Sequence, residues 1–215
     1  MQQATASHSL AGSESPLVAR ITQDAAEIQQ ALQLRYKVFV EGMGARVPSA
    51  AQGIDQDDYD QHCLHLIVKD VDNDQVVGYS RILTNDSAVA AGGFYSASEF
   101  DLSQIVQPGK CYMEIGRTCV DPEYRSGAVS GMLWSGSAQF MAAHDIDYLM
   151  GCASISLADG VSKAIAIVDH LREKHFTPAS MRAEPRVNLP RTEVDLDGRK
   201  LLPPLLKAYL RIGVK

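Results

Sequence analysis

The sequence predicts a single α/β domain. Three observations support this prediction: a segment with helical periodicity near the start, several short apolar runs typical of strands, and a central strand-loop-helix-strand unit. A chain of 215 residues with 46% hydrophobic residues is also long enough to bury one core. We therefore expect a mixed sheet flanked by helices.

Each predicted element has a local signal. The first helix shows apolar residues on one face, and Asp24 is available near its start. Two strand-like runs flank the turn 70–74, which predicts a β-hairpin. In order, we predict a helix over 23–41, a Gly/Pro/Asp-rich loop over 42–61, strands over 64–68, 75–83 and 111–120, a helix over 130–144, a strand over 148–156, a helix over 160–174, and a Pro-punctuated tail that ends with 201–213.

The two ends of the domain and its cysteines allow further predictions. Residues 1–16 are rich in Ser, Ala and Gln, so we expect a disordered N-terminal tail before a domain over 17–215. No apolar run approaches the roughly 20 residues of a membrane-spanning helix, and a cytoplasmic location is the default. The four cysteines show no C-x-x-C spacing, and we expect them to be reduced core residues.

Charge is distributed unevenly along the chain. Residues 1–160 contain 9 Lys/Arg against 20 Asp/Glu, whereas residues 161–215 contain 11 against 6. The basic end suits an acidic partner or a peripheral contact with an anionic membrane, and a solvated surface is the alternative. The basic residues are not interleaved with aromatic residues, which argues against nucleic acid as a partner.

The segment 112–131 is the most informative part of the chain. Glu114 and Arg117 lie on an apolar strand, three residues apart, so a regular strand would place them on opposite faces unless Gly116 marks a bulge. Burial would disfavour the charged carboxylate of Glu114, which makes it the leading candidate for a general base. Its alternative role is to pair with Arg117 and brace the sheet. The small-residue loop 125–131 then leads into a helix whose free N–H groups suit an anion.

Two further groups of residues are candidates. The loop 55–60 contains four carboxylates, which suits a cationic amine substrate or a solvated surface. His65 is either a second base or a histidine whose hydrogen bonds are satisfied in the core. His62, Cys63 and His65 lack a second ligand cluster, so we predict no metal site.

As an ordered set, several segments resemble the ornithine Nα-acyltransferases of bacterial ornithine-lipid synthesis. These belong to the GNAT-like group, which also includes acyl-homoserine-lactone synthases and N-acyl amino acid synthases. The resemblance covers roughly residues 20–213. Its segments are the acidic loop before Cys63 and residues 35–39, 63–66, 77–81, 93–100, 114–117, 151–154 and 202–213.

The resemblance implies a GNAT-like fold and an N-acyltransferase activity. A fatty acyl group, often 3-hydroxyacyl, would pass from an acyl carrier protein thioester to the α-amine of ornithine and give lyso-ornithine lipid. No tightly bound cofactor is implied beyond the phosphopantetheine arm of the carrier. The glycines of 125–131 do not match the pyrophosphate loop of enzymes that use acetyl-CoA, which favours the carrier protein over acyl-CoA as donor.

The resemblance also implies roles for individual residues. Glu114, Arg117 and His65 are the catalytic candidates, and the N–H groups of Cys119 and Val120 would stabilise the oxyanion. The remaining donor-binding candidates are Arg125, Ser126, Gly127 and Ser154. The substrate-binding candidates are Arg35, Phe39, Asp57, Asp60 and Arg81, where the arginines would hold the active-site loop or a substrate carboxylate.

Two alternatives to this function stay open. One is a synthase that acylates another amine, since a fold does not fix the acceptor. The other is a catalytically silent regulator that binds acyl carrier protein or lipid. The resemblance implies a further strand beyond residue 213, and the chain stops at Lys215, which is why a shortened or impaired enzyme is also considered.

Overall fold

A computed structural model of the chain describes residues 16–190, 192–211 and 213. Of the predicted N-terminal tail only Pro16 lies within these residues. Its carbonyl accepts a hydrogen bond from the Val71 N–H at 3.2 Å. Within the described part of the chain, none of the helices has both the length and the apolar character needed to cross a membrane.

A five-stranded sheet carries the fold, with strand order β1-β2-β3-β5-β6. Strands β1 and β2 are antiparallel, β5 and β6 are parallel, and β4 and β7 form a separate antiparallel pair. The strands are β1 Leu17–Thr22, β2 Leu64–Asp70, β3 Gln75–Thr84, β4 Phe100–Asp101, β5 Tyr112–Val120, β6 Tyr148–Met150 and β7 Glu184–Pro185. The helices are α1 Ala25–Arg35, α2 Asn85–Ala90, α3 Ala128–Ala143, α4 Ser162–Lys174, α5 Gly198–Leu201 and α6 Pro204–Arg211.

The first helix forms where its cap predicts it. The Asp24 side chain accepts hydrogen bonds from the N–H groups of Ala26 and Glu27 at 2.9 and 3.0 Å, which satisfies two donors that a helix start leaves unpaired. After α1 the chain continues as a π-helix, Tyr36–Glu41, so together they cover the predicted helix almost to its ends. Single π-turns are often found at functional sites.

Three differences from the predicted elements have physical explanations. The predicted strand 148–156 ends at Met150, and residues 151–157 have no regular secondary structure. A Cβ on Gly151 would lie 2.5 Å from the Ile115 carbonyl oxygen, so the chain passes too close to β5 for a side chain. Strand β1 was not predicted, because Val18 and Ile21 are exposed and the strand lacks a clear apolar face. The short helix α2 also lacked a sequence signal.

The chain divides into two compact units. In its described part the first comprises residues 16–56, 65–80 and 118–137, and the second comprises residues 57–64, 81–117 and the residues from 138 onward. The prediction of one domain over 17–215 stays a prediction. The core of the first unit includes Ala31, Leu34, Val38, Ile67, Val76, Tyr79 and Cys119, and that of the second includes Cys63, Leu83, Ala88, Phe94 and Tyr112.

The cysteine prediction is confirmed for two thiols and wrong for the other two. Cys63 and Cys119 are buried, and burial raises the pKa of each to about 12. Cys111 and Cys152 are exposed. Cys111 immediately precedes β5, and Cys152 lies in the irregular stretch that follows β6. All four are free thiols.

Candidate active site

Glu114 is a buried carboxylate held by one short turn of the second unit. The residue is 4% exposed on β5 and faces the 3-10 turn Tyr95–Ser98. The backbone N–H groups of Tyr95 and Ser96 each donate to the carboxylate at 2.7 Å, and the Ser96 hydroxyl donates as well. Because two carboxylate oxygens offer about four acceptor positions, about one position is left for a further proton donor.

The local sequence explains why the turn lies against Glu114. Gly92 and Gly93 adopt positive φ angles of 84° and 136°, which reverse the chain after α2. Phe94 is then buried, and its ring packs against Tyr112 of β5 with centroids 6.5 Å apart. The N–H groups at the start of the turn have no partner inside it, so they are available to the carboxylate.

Arg81 and Arg117 share the carboxylates of the acidic loop. Arg81 is 3% exposed, and its Nη1 lies 2.5 Å from Asp57 Oδ1 and 3.0 Å from Asp60 Oδ1. Arg117 Nη2 lies 3.1 Å from Asp57 Oδ2. Burial alone would lower the pKa of Arg81, but the hydrogen bond that Arg81 donates to Asp57 and the charges of both aspartates raise it above its ordinary value. Asp57 and Asp60 are therefore engaged with protein cations, and they are not a free acidic loop.

Two tyrosine rings join the arginines to the Glu114 turn. The guanidinium carbons of Arg81 and Arg117 lie 5.6 and 5.4 Å from the centroid of the Tyr95 ring, and Arg81 lies 5.4 Å from that of Tyr59. The two rings meet edge to face with centroids 5.6 Å apart. Burial and the charge of Glu114 raise the pKa of Tyr59. Tyr95 thus contacts the base candidate through its backbone and both arginines through its ring.

The strand that carries Glu114 and Arg117 is irregular at Arg117, one residue after the bulge predicted at Gly116. Arg117 adopts a left-handed backbone with φ of 53°, whereas Gly116 does not. A non-glycine residue in this conformation is uncommon and usually held by its surroundings. Here the contacts with Asp57 and Tyr95 hold Arg117. As a result, Glu114 and Arg117 both contact the Tyr95 region despite their odd spacing.

Arg35 and His65 lie in the core of the first unit. Arg35 has no exposed surface, and its Nε and Nη2 lie 3.2 Å from the two carboxylate oxygens of Asp55. This contact anchors the loop that follows the π-helix, which fits the loop-holding role predicted for Arg35. His65 is buried, and its Nδ1 lies 2.8 Å from the Tyr79 hydroxyl. The contact fits a satisfied core histidine, and the catalytic role of His65 stays a prediction.

The other predicted positions divide between the two units. In the first unit, half-buried Phe39 packs against the core and Cys119 is buried within it. The Arg125 Nε donates to the Val120 carbonyl at 3.4 Å. Gly127, at φ of 102°, immediately precedes α3, and Ser126 is exposed. In the second unit, Ser154 is exposed in the irregular stretch 151–157.

Two buried carboxylates position the loop that contains Arg125, Ser126 and Gly127. Asp121 is 1% exposed, accepts from the Glu123 N–H at 3.0 Å and lies 2.9 Å from the Lys37 ammonium. Asp70 is equally buried and accepts a hydrogen bond from the Tyr124 hydroxyl at 2.7 Å. The turn Pro122–Tyr124 before the loop is therefore held at both ends, by Asp121 and by the contact of Tyr124 with Asp70.

Several of these residues were missed by sequence reasoning. Ser96, Tyr59 and Tyr95 had no individual signal, although the glycine pair before the turn marks a sharp reversal of the chain. Ser96 also contacts Cys152, with Oγ and Sγ 3.2 Å apart. Among the described residues, no three His, Cys, Asp or Glu side chains are grouped so that they could hold a metal ion.

Comparison with known proteins adds to this geometry. The family model described as an acetyltransferase (GNAT) domain matches residues 34–135. The L-ornithine N(alpha)-acyltransferase of Agrobacterium fabrum is 38% identical over 92% of this chain and 73% of that protein. The protein of the same name from Rhizobium meliloti is 37% identical over 92% of this chain and 72% of its own length.

A solved structure supports the fold. The AHL synthase LasI superposes with a TM-score of 0.51 at 15% identity, covering 80% of this chain and 89% of that one. At this identity the likeness shows the fold alone. Together with the GNAT domain match, it confirms the predicted GNAT-like architecture, a mixed sheet with flanking helices.

Proposed function

The chain belongs to the L-ornithine Nα-acyltransferase family, and from this premise we propose that it transfers a fatty acyl group to the α-amine of ornithine. The observation that carries the mechanism is the Glu114 carboxylate, which is buried, held by three donors and left with about one acceptor position. The acyl donor in this proposal is an acyl carrier protein thioester, with acyl-CoA as the alternative donor.

The charges of the Glu114 cluster suit a cationic substrate. Three carboxylates face two guanidinium groups, which leaves a formal charge of −1; the members are Asp57, Asp60, Glu114, Arg81 and Arg117. Ornithine has two ammonium groups and one carboxylate at neutral pH, so its net charge is +1. The side chain of Arg117 is 26% exposed against 4% for Arg81. We therefore assign the substrate carboxylate to Arg117 and the organisation of the aspartates to Arg81.

The reaction balances with these residues. Glu114 takes one proton from the α-ammonium group, which frees the nitrogen lone pair for attack on the thioester carbonyl. The C–N bond forms, the oxyanion collapses, and the C–S bond breaks to release the pantetheine thiolate. The second proton of the nitrogen goes to that thiolate, and the proton on Glu114 returns to solvent. The N–H groups of Cys119 and Val120 are the proposed oxyanion donors.

The donor and the location of the reaction are also parts of the proposal. The loop 125–127 would hold the phosphopantetheine arm, supported by its fixation through Asp70 and Asp121. No tightly bound cofactor is needed for direct attack of an amine on a thioester. A carrier-protein donor implies a cytoplasmic reaction, with a peripheral membrane contact where the lipid product is delivered.

The test is mass spectrometry of the products from purified protein, 3-hydroxyacyl carrier protein and a panel of amino acids, with acyl-CoA as a second donor. We expect N-acyl-ornithine from the carrier donor. Product on another amine would keep the mechanism and overturn the ornithine assignment. Absence of product from both donors would favour the regulatory alternative.

A matched pair of variants tests the role of Glu114. Glu114→Gln keeps the shape but removes the proton acceptor, so we expect kcat to fall by about 10²–10⁴-fold. Glu99→Gln makes the same change at an exposed position close in sequence to the turn and should leave kcat unchanged. Equal rates for the two variants would show that Glu114 is not the base.

A further inference from the structure

A polar cleft in the second unit lies among α4, α5 and α6 and the residues that join them. Its volume is about 640 Å³, and apart from two leucines its lining is charged or titratable. Four cations and two histidines face one carboxylate. They are Arg199, Lys200, Lys207, Arg211, His170 and His175, opposite Asp197.

Among the described residues, three of the four cations have no ion-pair partner. Asp197 pairs with Lys200 at 3.4 Å and accepts the backbone N–H of Arg199 at 3.1 Å. Within residues 16–190, 192–211 and 213, no carboxylate forms an ion pair with the side chains of Arg199, Lys207 or Arg211. The cleft therefore concentrates positive charge on a chain whose net charge is −6. A surface with this charge attracts anions.

Exposed apolar side chains accompany these cations. Phe176, Leu196 and Leu205 are each adjacent or near in sequence to residues that line the cleft, and they are 36%, 49% and 47% exposed. On α6, Leu205 and Lys207 are both exposed, whereas Tyr209 is half-buried. Cations mixed with exposed leucine and phenylalanine are typical of surfaces that lie at a membrane interface.

We propose that this cleft binds the phosphate of an anionic phospholipid headgroup and docks the second unit on a membrane surface. The proposal rests on the proposed function in one respect, because an N-acylated amino acid is itself a lipid that must enter a membrane. Free phosphate would satisfy the cations but would leave the exposed side chains of Leu196 and Leu205 without a role. The Phe176 ring already contacts the guanidinium groups of Arg172 and Arg182. A bilayer accounts for both the charge and the apolar side chains.

The experiment is flotation of the whole chain with vesicles of phosphatidylcholine, alone or mixed with phosphatidylglycerol. We expect binding only to the anionic vesicles, and weaker binding as salt is raised. Lys207→Glu should weaken binding by at least about fivefold, the value of one basic residue near an anionic surface. Arg46→Glu makes the same charge change at an exposed position of the first unit and should bind as the unaltered chain does.

Further measurements separate the possible occupants. Leu205→Ser should weaken vesicle binding without changing the effect of inorganic phosphate. If phosphate displaces the vesicles and Leu205→Ser has no effect, the cleft is a free-phosphate site and the membrane proposal is overturned. It is also overturned if Lys207→Glu abolishes binding of acyl carrier protein but not of vesicles, or if Arg46→Glu is equally impaired. Acyl transfer measured without vesicles should be unchanged in Lys207→Glu, so failure of the proposed function is detected separately.

Discussion

Gly78 on β3 leaves no room for a side chain. A Cβ at this position would lie 2.4 Å from Val129 Cγ1 and 3.2 Å from Val68 Cβ. Carbon atoms in contact normally stay about 3.5–4.0 Å apart. Val129 is 1% exposed in the first turn of α3, so it has little room to move away. We therefore expect Gly78→Ala to push α3 away from the sheet.

The size of the effect follows from overpacking. Extra methyl groups in a filled core cost about 1–3 kcal/mol, and for a chain of this length each kcal/mol lowers Tm by about 2–4 °C. Gly78→Ala should thus lower Tm by about 2–12 °C. Gly131→Ala on the same helix is the control: Gly131 is exposed and a Cβ there meets no atom within 4 Å. Its helix propensity gain of up to about 1 kcal/mol should raise Tm.

Calorimetry of the single and double variants checks this reasoning. Val129→Ala removes the methyl group that clashes, so the double variant with Gly78→Ala should be more stable than the sum of the two losses by about 0.5–3 kcal/mol. An unchanged Tm in Gly78→Ala would refute the close approach of α3 to β3. Because α3 begins directly after Gly127, we also expect KM for the acyl donor to rise more than KM for ornithine.

Three other outcomes can be measured directly. Burial would raise the pKa of Glu27, but hydrogen bonds from three side chains lower it from 4.5 to about 2. The contribution of Glu27 to stability is therefore present above pH 4.5 and is lost as the pH falls towards 2. Glu27→Gln should flatten that part of an acid-unfolding curve. Arg81→Met leaves two carboxylates without their shared cation and should cost about 3–5 kcal/mol in urea unfolding, whereas Lys110→Met, in a pair exposed to solvent, should cost about 0–1 kcal/mol. Iodoacetamide at neutral pH should label the exposed thiols of Cys111 and Cys152 in the folded chain. After denaturation it should also label the buried thiols of Cys63 and Cys119, so mass spectrometry should count two labels before denaturation and four after it.

The elements with strong local signals were predicted from sequence. The hairpin of β2 and β3 and the helices α1, α3 and α4 lie within a few residues of their predicted bounds. For α1 the signal is the helical spacing of its apolar residues together with the cap at Asp24. Residues 151–156 were predicted as strand but have no regular secondary structure, and at their start Gly151 lies close to the Ile115 backbone. A contact between residues far apart in sequence leaves no local pattern.

The same limit applies to the candidate site. Glu114, Arg81 and Arg117 were identified from the sequence and its family resemblance, and the structure brings their neighbourhoods together around Tyr95. Ser96 was missed because a single serine in a turn has many ordinary roles. Its role is defined by the hydrogen bond that its hydroxyl donates to Glu114, which is 18 residues away in the chain.

The acidic loop shows how pairing changes the chemistry inferred from composition. Four carboxylates in six residues predict a strong site for cations, yet Asp57 and Asp60 are engaged with Arg81, and Asp57 also with Arg117. What is left is a formal charge of −1 and one carboxylate, Glu114, whose hydrogen bonds come from uncharged donors. This carboxylate can both attract an ammonium group and accept its proton, whereas a protonated aspartate would lose its attraction for the two arginines. The arginine pairs therefore separate the residues that hold the site together from Glu114, the proposed proton acceptor.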